Sequence, residues 1–196
     1  NFLTFKYEKP IKITLFNWIS LGNLNINFGI LLDPLSMVVM VPIVVVTSAV
    51  LFYSIDYMRY DPARNRFYVV LSVFALFMTL LIVSDNYVTM FIGWELIGVI
   101  SYLLISFWNT RISAMKSALS AILLNRMGDA LFVIFIGTII SLYNSVEFNT
   151  IELLTPHTHT TTLNLLAIML LIAATAKSAQ IGLHSWLLLA MESGRT

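Results

Sequence analysis

The chain has 196 residues, 59% of them hydrophobic and 11% charged, with a mean hydropathy of +0.88 and a formal net charge of +1. Soluble domains carry about 25% charged residues, so a chain this apolar has too little polar surface to cover itself in water and is solvated by lipid. This excludes a soluble enzyme, a disordered tail and a nucleic-acid binder, and the absence of cysteine excludes a disulfide scaffold, a thiolate zinc site and an iron–sulfur centre.

Residues 1–34 read as an extramembrane segment. Leu24, Ile26, Phe28 and Ile30 alternate with Asn25, Asn27 and Gly29, the period of two of a strand, and Gly22-Asn23 ahead of them supplies turn chemistry. Strands over 13–19 and 24–32 are therefore predicted, forming a short β-hairpin on the bilayer surface. The chain begins with Asn1 and no basic stretch leads into a short apolar run and a cleavage site, so an incomplete start without a signal peptide is expected.

Five segments over 35–55, 67–84, 87–108, 118–143 and 163–182 are long and apolar enough to cross a hydrocarbon core of about 30 Å. Asp33-Pro34 gives the first an N-cap and an N1 proline, and Pro42 inside it is tolerable in a membrane helix. Ser84-Asp85-Asn86 reads as a tight turn between the second and third. The expected fold class is an all-α polytopic membrane protein of five transmembrane helices over 35–192, preceded by the hairpin, with an atypical end over 193–196. Arg59, Arg64 and Arg66 follow the first helix, and Arg111 and Lys116 follow the third, whereas the loops after the second and fourth carry no Lys or Arg. The positive-inside rule puts the basic loops on the matrix or cytoplasmic side. Lys6, Lys9 and Lys12 conflict with this, lying on the opposite side.

Chemistry is sought where charge is tolerated at depth, since a charged side chain at a helix centre costs at least about 2.5–3.5 kcal/mol. Four groups qualify: Glu95 in the third helix, Arg126 and Asp129 in the fourth, and Lys177 in the fifth. Arg126 and Asp129 are spaced to pair on one face, either as a structural ion pair or as part of a conduction route. Glu95 and Lys177 have no opposite charge within a turn or two on their own helices, so each needs a partner on another helix, water, or neutralisation. Burial shifts the pKa of such groups toward the neutral form, so they can load and release protons; the plainer alternative is a static bridge between helices. Ala173, Ala174, Ala176, Ser178 and Ala179 around Lys177 let another helix or a water chain approach, and Gly182 suggests a broken helix. Gly93 and Gly98 flank Glu95, with ordinary packing as the alternative. His184 is either a proton relay or an interfacial residue beside Trp186. His157 and His159 have a spacing that can supply two metal ligands, but without cysteine or a nearby carboxylate they read as a solvated loop.

These motifs resemble a known family. Residues 91–108, from Phe91-Ile92-Gly93-Trp94-Glu95 to Ser106-Phe107-Trp108, are similar to a segment of mitochondrial NADH dehydrogenase subunit 5, among the antiporter-like, proton-pumping membrane-arm subunits of respiratory complex I. Asn125-Arg126-Met127-Gly128-Asp129 and the run from Ala176-Lys177-Ser178 through Leu183-His184-Ser185-Trp186-Leu187 resemble its next two motifs, and Asp33-Pro34-Leu35-Ser36 and Tyr57-Met58-Arg59 also fit. The resemblance implies that the five helices correspond to the family's third to seventh. It implies that Glu95 and Lys177 form the buried pair of a proton half-channel, that Arg126 and Asp129 tune it or line the route, and that His184 lies on that route. It further implies a multi-pass protein of the mitochondrial inner membrane, with the other membrane-arm subunits and the lipid bilayer as partners and no nucleic acid. No cofactor is expected on this chain; FMN, iron–sulfur clusters and ubiquinone belong to other subunits of the complex.

The sequence departs from the family in lacking two helices before Asn1 and everything after Met191-Glu192, and Leu187-Leu188-Leu189 stands where Leu-Pro is usual. A piece of the subunit is therefore expected: a gene fragment, an exon product read into an intron, or one part of a split subunit whose remainder is a second chain. The alternatives are a subunit of a multisubunit sodium/proton antiporter and a truncated structural piece without transport.

Overall fold

The computed structural model describes residues 10–22, 24–108, 110–180 and 182–193; Lys6, Lys9, Asn23 and, of the expected end over 193–196, all but its first residue lie outside these. Strands β1 (Ile11–Leu21) and β2 (Leu24–Leu32) precede α1 (Pro34–Tyr57), α2 (Arg64–Ile82), α3 (Tyr87–Ile105), α4 (Ile112–Tyr143), α5 (Phe148–Leu154), a 3-10 turn (Thr155–His157), α6 (Thr160–Lys177) and α7 (Ser185–Ser193). Among the described residues five helices, α1, α2, α3, α4 and α6, are long and apolar enough to cross a membrane. The chain divides into two compact units, residues 1–96 and 97–196.

In the first unit β1 and β2 form an antiparallel hairpin whose register shifts twice on the β1 side, between Thr14 and Phe16 and between Asn17 and Ile19. Phe16 stacks on Phe28 at 5.3 Å between ring centres and Trp18 meets Phe28 edge-on at 6.5 Å, so the aromatic pairs expected of strand neighbours hold the hairpin. The next residue after the hairpin, Asp33, caps α1: its carboxylate accepts from Ser36 N at 2.7 Å while Ser36 Oγ accepts from Asp33 N at 2.9 Å, a reciprocal capping box with Pro34 at the first helical position.

The hairpin is docked on the α2–α3 connection. Leu31 N donates to Val83 O at 2.8 Å, Ile30 bridges Ser84, and Asn86 Nδ2 donates to Asn27 O at 2.8 Å. Asn86 also caps α3, its Oδ1 accepting from Thr89 N at 2.8 Å. Lys12 Nζ lies 3.8 Å from Asp85 Oδ2, whose side chain is 1% exposed. This removes part of the conflict in the loop charges, because Lys12 faces a buried carboxylate on its own side and is not a free topogenic charge. Gly29 sits so close to Asp85 that any side chain there would overlap the carboxylate. On the other side of this unit Tyr68 OH donates to Ser54 O at 3.3 Å between α1 and α2, and a Cβ at Gly93 of α3 would stand 2.9 Å from the Leu81 backbone of α2.

The second unit is organised around α4. Its buried residues Ala114, Ala118, Ala121, Asn125, Gly128, Phe132, Phe135 and Ile139 recur at alternating spacings of four and three, the seam of a coiled-coil-like contact. α6 and α7 pack against α4. Gly128 marks a close approach to α6, where an added Cβ would stand 2.6 Å from Ala176 Cβ and 3.2 Å from Ala173 O. Two boundaries differ from the sequence expectation by more than three residues. α4 begins at Ile112 rather than 118, because its first turns carry Ser113, Lys116 and Ser117, which lower the hydropathy while the small buried residues continue the seam. The fifth span stops at Lys177 rather than 182: Ala179 has φ +51° and Gly182 φ +98°, left-handed conformations that a continuing α-helix excludes. Helices α5 and α7 were not expected; both are short, below the length that hydropathy can register as a span.

Candidate functional site

The break between α6 and α7 positions the lysine that the sequence singles out. Lys177 is the last residue of α6, followed by Ser178 as C-cap. Ser178 N donates to Ala174 O at 2.9 Å and Gln180 N to Thr175 O at 3.0 Å, so part of the final turn's carbonyls are satisfied as the chain leaves the helix. The indole of Trp186 at the start of α7 donates from Nε1 to Ala176 O at 3.2 Å, tying the two half-helices together across the break. A cation in the last turn is favoured by the helix dipole by about 0.3–1 kcal/mol, so the position suits a lysine better than a mid-helix one would.

Depth follows from α4. Its 32 residues span about 48 Å, more than the hydrocarbon core of about 30 Å. Gly128 is at the midpoint of that helix, and Ala176 lies directly against it. Lys177 is thus level with the middle of the longest helix, not with an end of it. Its ammonium reaches α3: an added Cβ at Gly98 would stand 2.9 Å from Lys177 Nζ. Gly98 therefore does more than ordinary packing; it leaves the space the ammonium fills.

Glu95 lies in the first unit, half-buried on α3. Asp129 is buried in the α4 seam at 5% exposure, whereas Arg126 is on the exposed side of α4 at the same height. The burial of the one and exposure of the other come from the seam, which takes in positions 125, 128 and 129 and leaves 126 and 127 outside. His184 is exposed in the connection before α7. His157 ends the 3-10 turn and His159 precedes α6, both exposed, and among the described residues no three His, Asp or Glu side chains converge as a metal site would require.

Sequence reasoning passed over two polar positions. Asn125 is 5% exposed in the seam and its Oδ1 has no hydrogen-bond partner; its spacing of three from Gly128 was the available signal. Asp85 was read only as turn chemistry, and nothing in its local sequence reveals that the hairpin folds over it.

Comparison with known proteins gives two family profiles. The one described as complex I chain 5 N-terminus matches residues 18–68, and the one described as NADH:quinone oxidoreductase/Mrp antiporter, TM, matches residues 84–196. The chain is 68% identical to NADH-ubiquinone oxidoreductase chain 5 of Debaryomyces hansenii over 190 residues, covering 97% of this chain and 32% of that protein. It is 63% identical to the protein of the same name from Candida albicans over 190 residues, covering 97% and 34%. It therefore spans about a third of the length of the curated relatives it matches. Among solved structures, the Mrp complex of a Dietzia species contains a chain similar in fold, with a TM-score of 0.78 at 22% identity, over 97% of this chain and 21% of that one.

Proposed function

Because the chain belongs to the NADH:quinone oxidoreductase/Mrp antiporter transmembrane family, we propose that it supplies the Glu95/Lys177 half-channel of the chain 5 proton route in complex I. In this reading the chain is a multi-pass protein of the mitochondrial inner membrane, with Arg59, Arg64, Arg66, Arg111 and Lys116 toward the matrix. The remaining length of chain 5 and the other membrane-arm subunits are its partners. FMN, iron–sulfur clusters and ubiquinone are carried by other subunits; with no cysteine, this chain has no thiolate to hold a cluster.

The observation that carries the reading is the placement of Lys177 at a helix break, level with the midpoint of α4, with its ammonium against Gly98. An ammonium kept at such depth is expensive unless its charge is used or paired. A helix end also supplies carbonyl dipoles that respond when the side chain gains or loses a proton. Lys177 then takes up a proton as its amine and gives it up as its ammonium, with Glu95 as the counter-charge that sets its proton affinity. Asp129 and Arg126 tune that pair or line the route, and His184, beyond the break, relays between the lysine and the next group. The names of the curated relatives favour this reading over a multisubunit sodium/proton antiporter.

The test is Lys177→Ala in the assembled complex in inner-membrane vesicles. Proton translocation coupled to NADH oxidation is expected to be lost, while NADH oxidation by a hydrophilic electron acceptor that bypasses the membrane arm is unchanged. A wild-type proton yield per electron pair refutes the proposal.

A further inference from the structure

Asn125 is a polar side chain where an apolar one would pack better. It occupies a seam position on α4, 95% buried by its 5% exposure, and its Oδ1 accepts no hydrogen bond from any protein group. A buried carbonyl left in this state is costly, and nearly all such groups in folded proteins are satisfied by protein or by ordered water. Leucine has a similar size, fits lipid and seam alike, and would carry no such cost.

The seam neighbours of Asn125 are Ala121 and Gly128, and Gly128 in turn lies against Ala173 and Ala176 of α6. Beyond Gly128 the seam changes character: Phe132 and Phe135, 1% and 3% exposed with ring centres 6.0 Å apart, fill it with dry aromatic surface. Asn125 therefore lies in the small-residue half of the seam, separated from the aromatic half by Gly128. One turn further on, Asp129 presents a second buried polar group. Residues four apart lie one above the other on the same helix face, so a single bridging water can join their side chains.

We propose that Asn125 Oδ1 holds an internal water in the α4–α6 seam, bridging to Asp129, and that this water is a station on the proton route. The proposal rests on the half-channel reading above. The water donates one hydrogen to Asn125 Oδ1 and the other toward the Asp129 carboxylate. As a relay it accepts a proton on its free lone pair and releases one of its own to Asp129, so that it is left unchanged and one proton has advanced. Asn125 itself neither gains nor loses a proton; it is a positioning residue. The competing account is that Asn125 only fixes the register of α4 against α6, as a single polar residue in such a seam can.

The experiment uses the assembled complex with Asn125→Leu and Asn125→Ser, beside Lys177→Ala. Leucine removes the acceptor and fills the space; serine keeps an oxygen and leaves room for solvent. Asn125→Leu is expected to lower proton-coupled quinone reduction about tenfold, equivalent to about 1.4 kcal/mol. NADH oxidation by the hydrophilic acceptor should stay unchanged, and Asn125→Ser should remain within about twofold of the parent, less than about 0.4 kcal/mol. A high-resolution density map of the parent complex should contain an ordered water within about 3 Å of Oδ1. Full coupling in Asn125→Leu, or a map in which a protein donor occupies Oδ1, overturns the proposal. Should Asn125→Leu fail to assemble, the serine variant and the map decide. Loss of pumping in Lys177→Ala with none in Asn125→Leu removes the water and leaves the half-channel; an intact yield in Lys177→Ala removes the half-channel itself.

Discussion

Gly98→Ala separates the position of the lysine from the stability of the fold. The added Cβ would stand 2.9 Å from Lys177 Nζ, against an ordinary contact of about 3.5–4.0 Å, so the ammonium must retreat by about 0.6 Å or more. The obstacle is the far end of a flexible side chain, so the helices need not move. Alanine in a helix interior is favoured over glycine by about 0.5–1 kcal/mol, so the thermal stability of the complex should be unchanged or slightly higher. Function should respond in the other direction. For an ionic contact of about 4 Å at an effective dielectric of about 20, lengthening by about 0.6 Å weakens the interaction by about 0.5 kcal/mol. That corresponds to a change of about 2.5-fold in the equilibrium it governs. Proton-coupled quinone reduction in vesicles should fall by that order with assembly intact. Gly137→Ala is the control, since among the described residues nothing lies within 4 Å of a Cβ at Gly137, and it should change neither rate nor stability beyond the helix-propensity gain. Unchanged coupling in Gly98→Ala, or a loss of thermal stability in it, refutes the reasoning, because either outcome means that the space beside Gly98 is not reserved for the ammonium.

Three further outcomes follow from the same geometry. Gly128→Ala drives a Cβ to 2.6 Å from that of Ala176, where a helix must shift; a destabilisation of about 1–3 kcal/mol is expected, read as a lowered melting temperature of the complex. Lys12→Met leaves the Asp85 carboxylate, 1% exposed, without its cation at 3.8 Å; the hairpin should undock with a cost of about 1–3 kcal/mol, seen as a loss of amide-exchange protection at Leu31. Trp186→Phe removes the bond from Nε1 to Ala176 O, at a cost of about 0.5–1.5 kcal/mol, and should raise exchange in α7 more than in α4.

Much of this was legible in the sequence because lipid imposes simple rules. A span must be about twenty apolar residues long, and α1, whose Asp33-Pro34-Leu35-Ser36 start encodes its own cap, falls within two residues of the span read from hydropathy. The hairpin was legible from its period of two. What it packs on was not: Asp85 and Asn86 sit in a local turn, and only the fold reveals that Gly29 closes over the carboxylate and that Asn27 accepts from Asn86. The start of α4 was lost for the opposite reason. Hydropathy averages over a window, and Ser113, Lys116 and Ser117 dilute a seam whose signal is the spacing of small residues.

The end of α6 shows how far composition alone can be pushed. Gly182 and the alanines around Lys177 announced a weakened helix, yet the break comes earlier, at Ser178, with Ala179 rather than glycine first taking a positive φ of +51°. Alanine in that region is disfavoured by about 1–2 kcal/mol, so the local sequence does not choose the break; tertiary contacts do. Two of them are in view. Gly128 admits Ala176 to the centre of α4, which fixes the height at which α6 stops. Trp186 then donates to the Ala176 carbonyl, which holds α7 against the open end. A helix allowed to continue would carry Lys177 in its interior, with its neighbouring carbonyls committed to the ladder. Ending the helix at the lysine puts that cation in the last turn, at the negative end of the dipole. The strain at Ala179 is thus the local cost of placing a cation, a helix end and a close helix crossing at one depth.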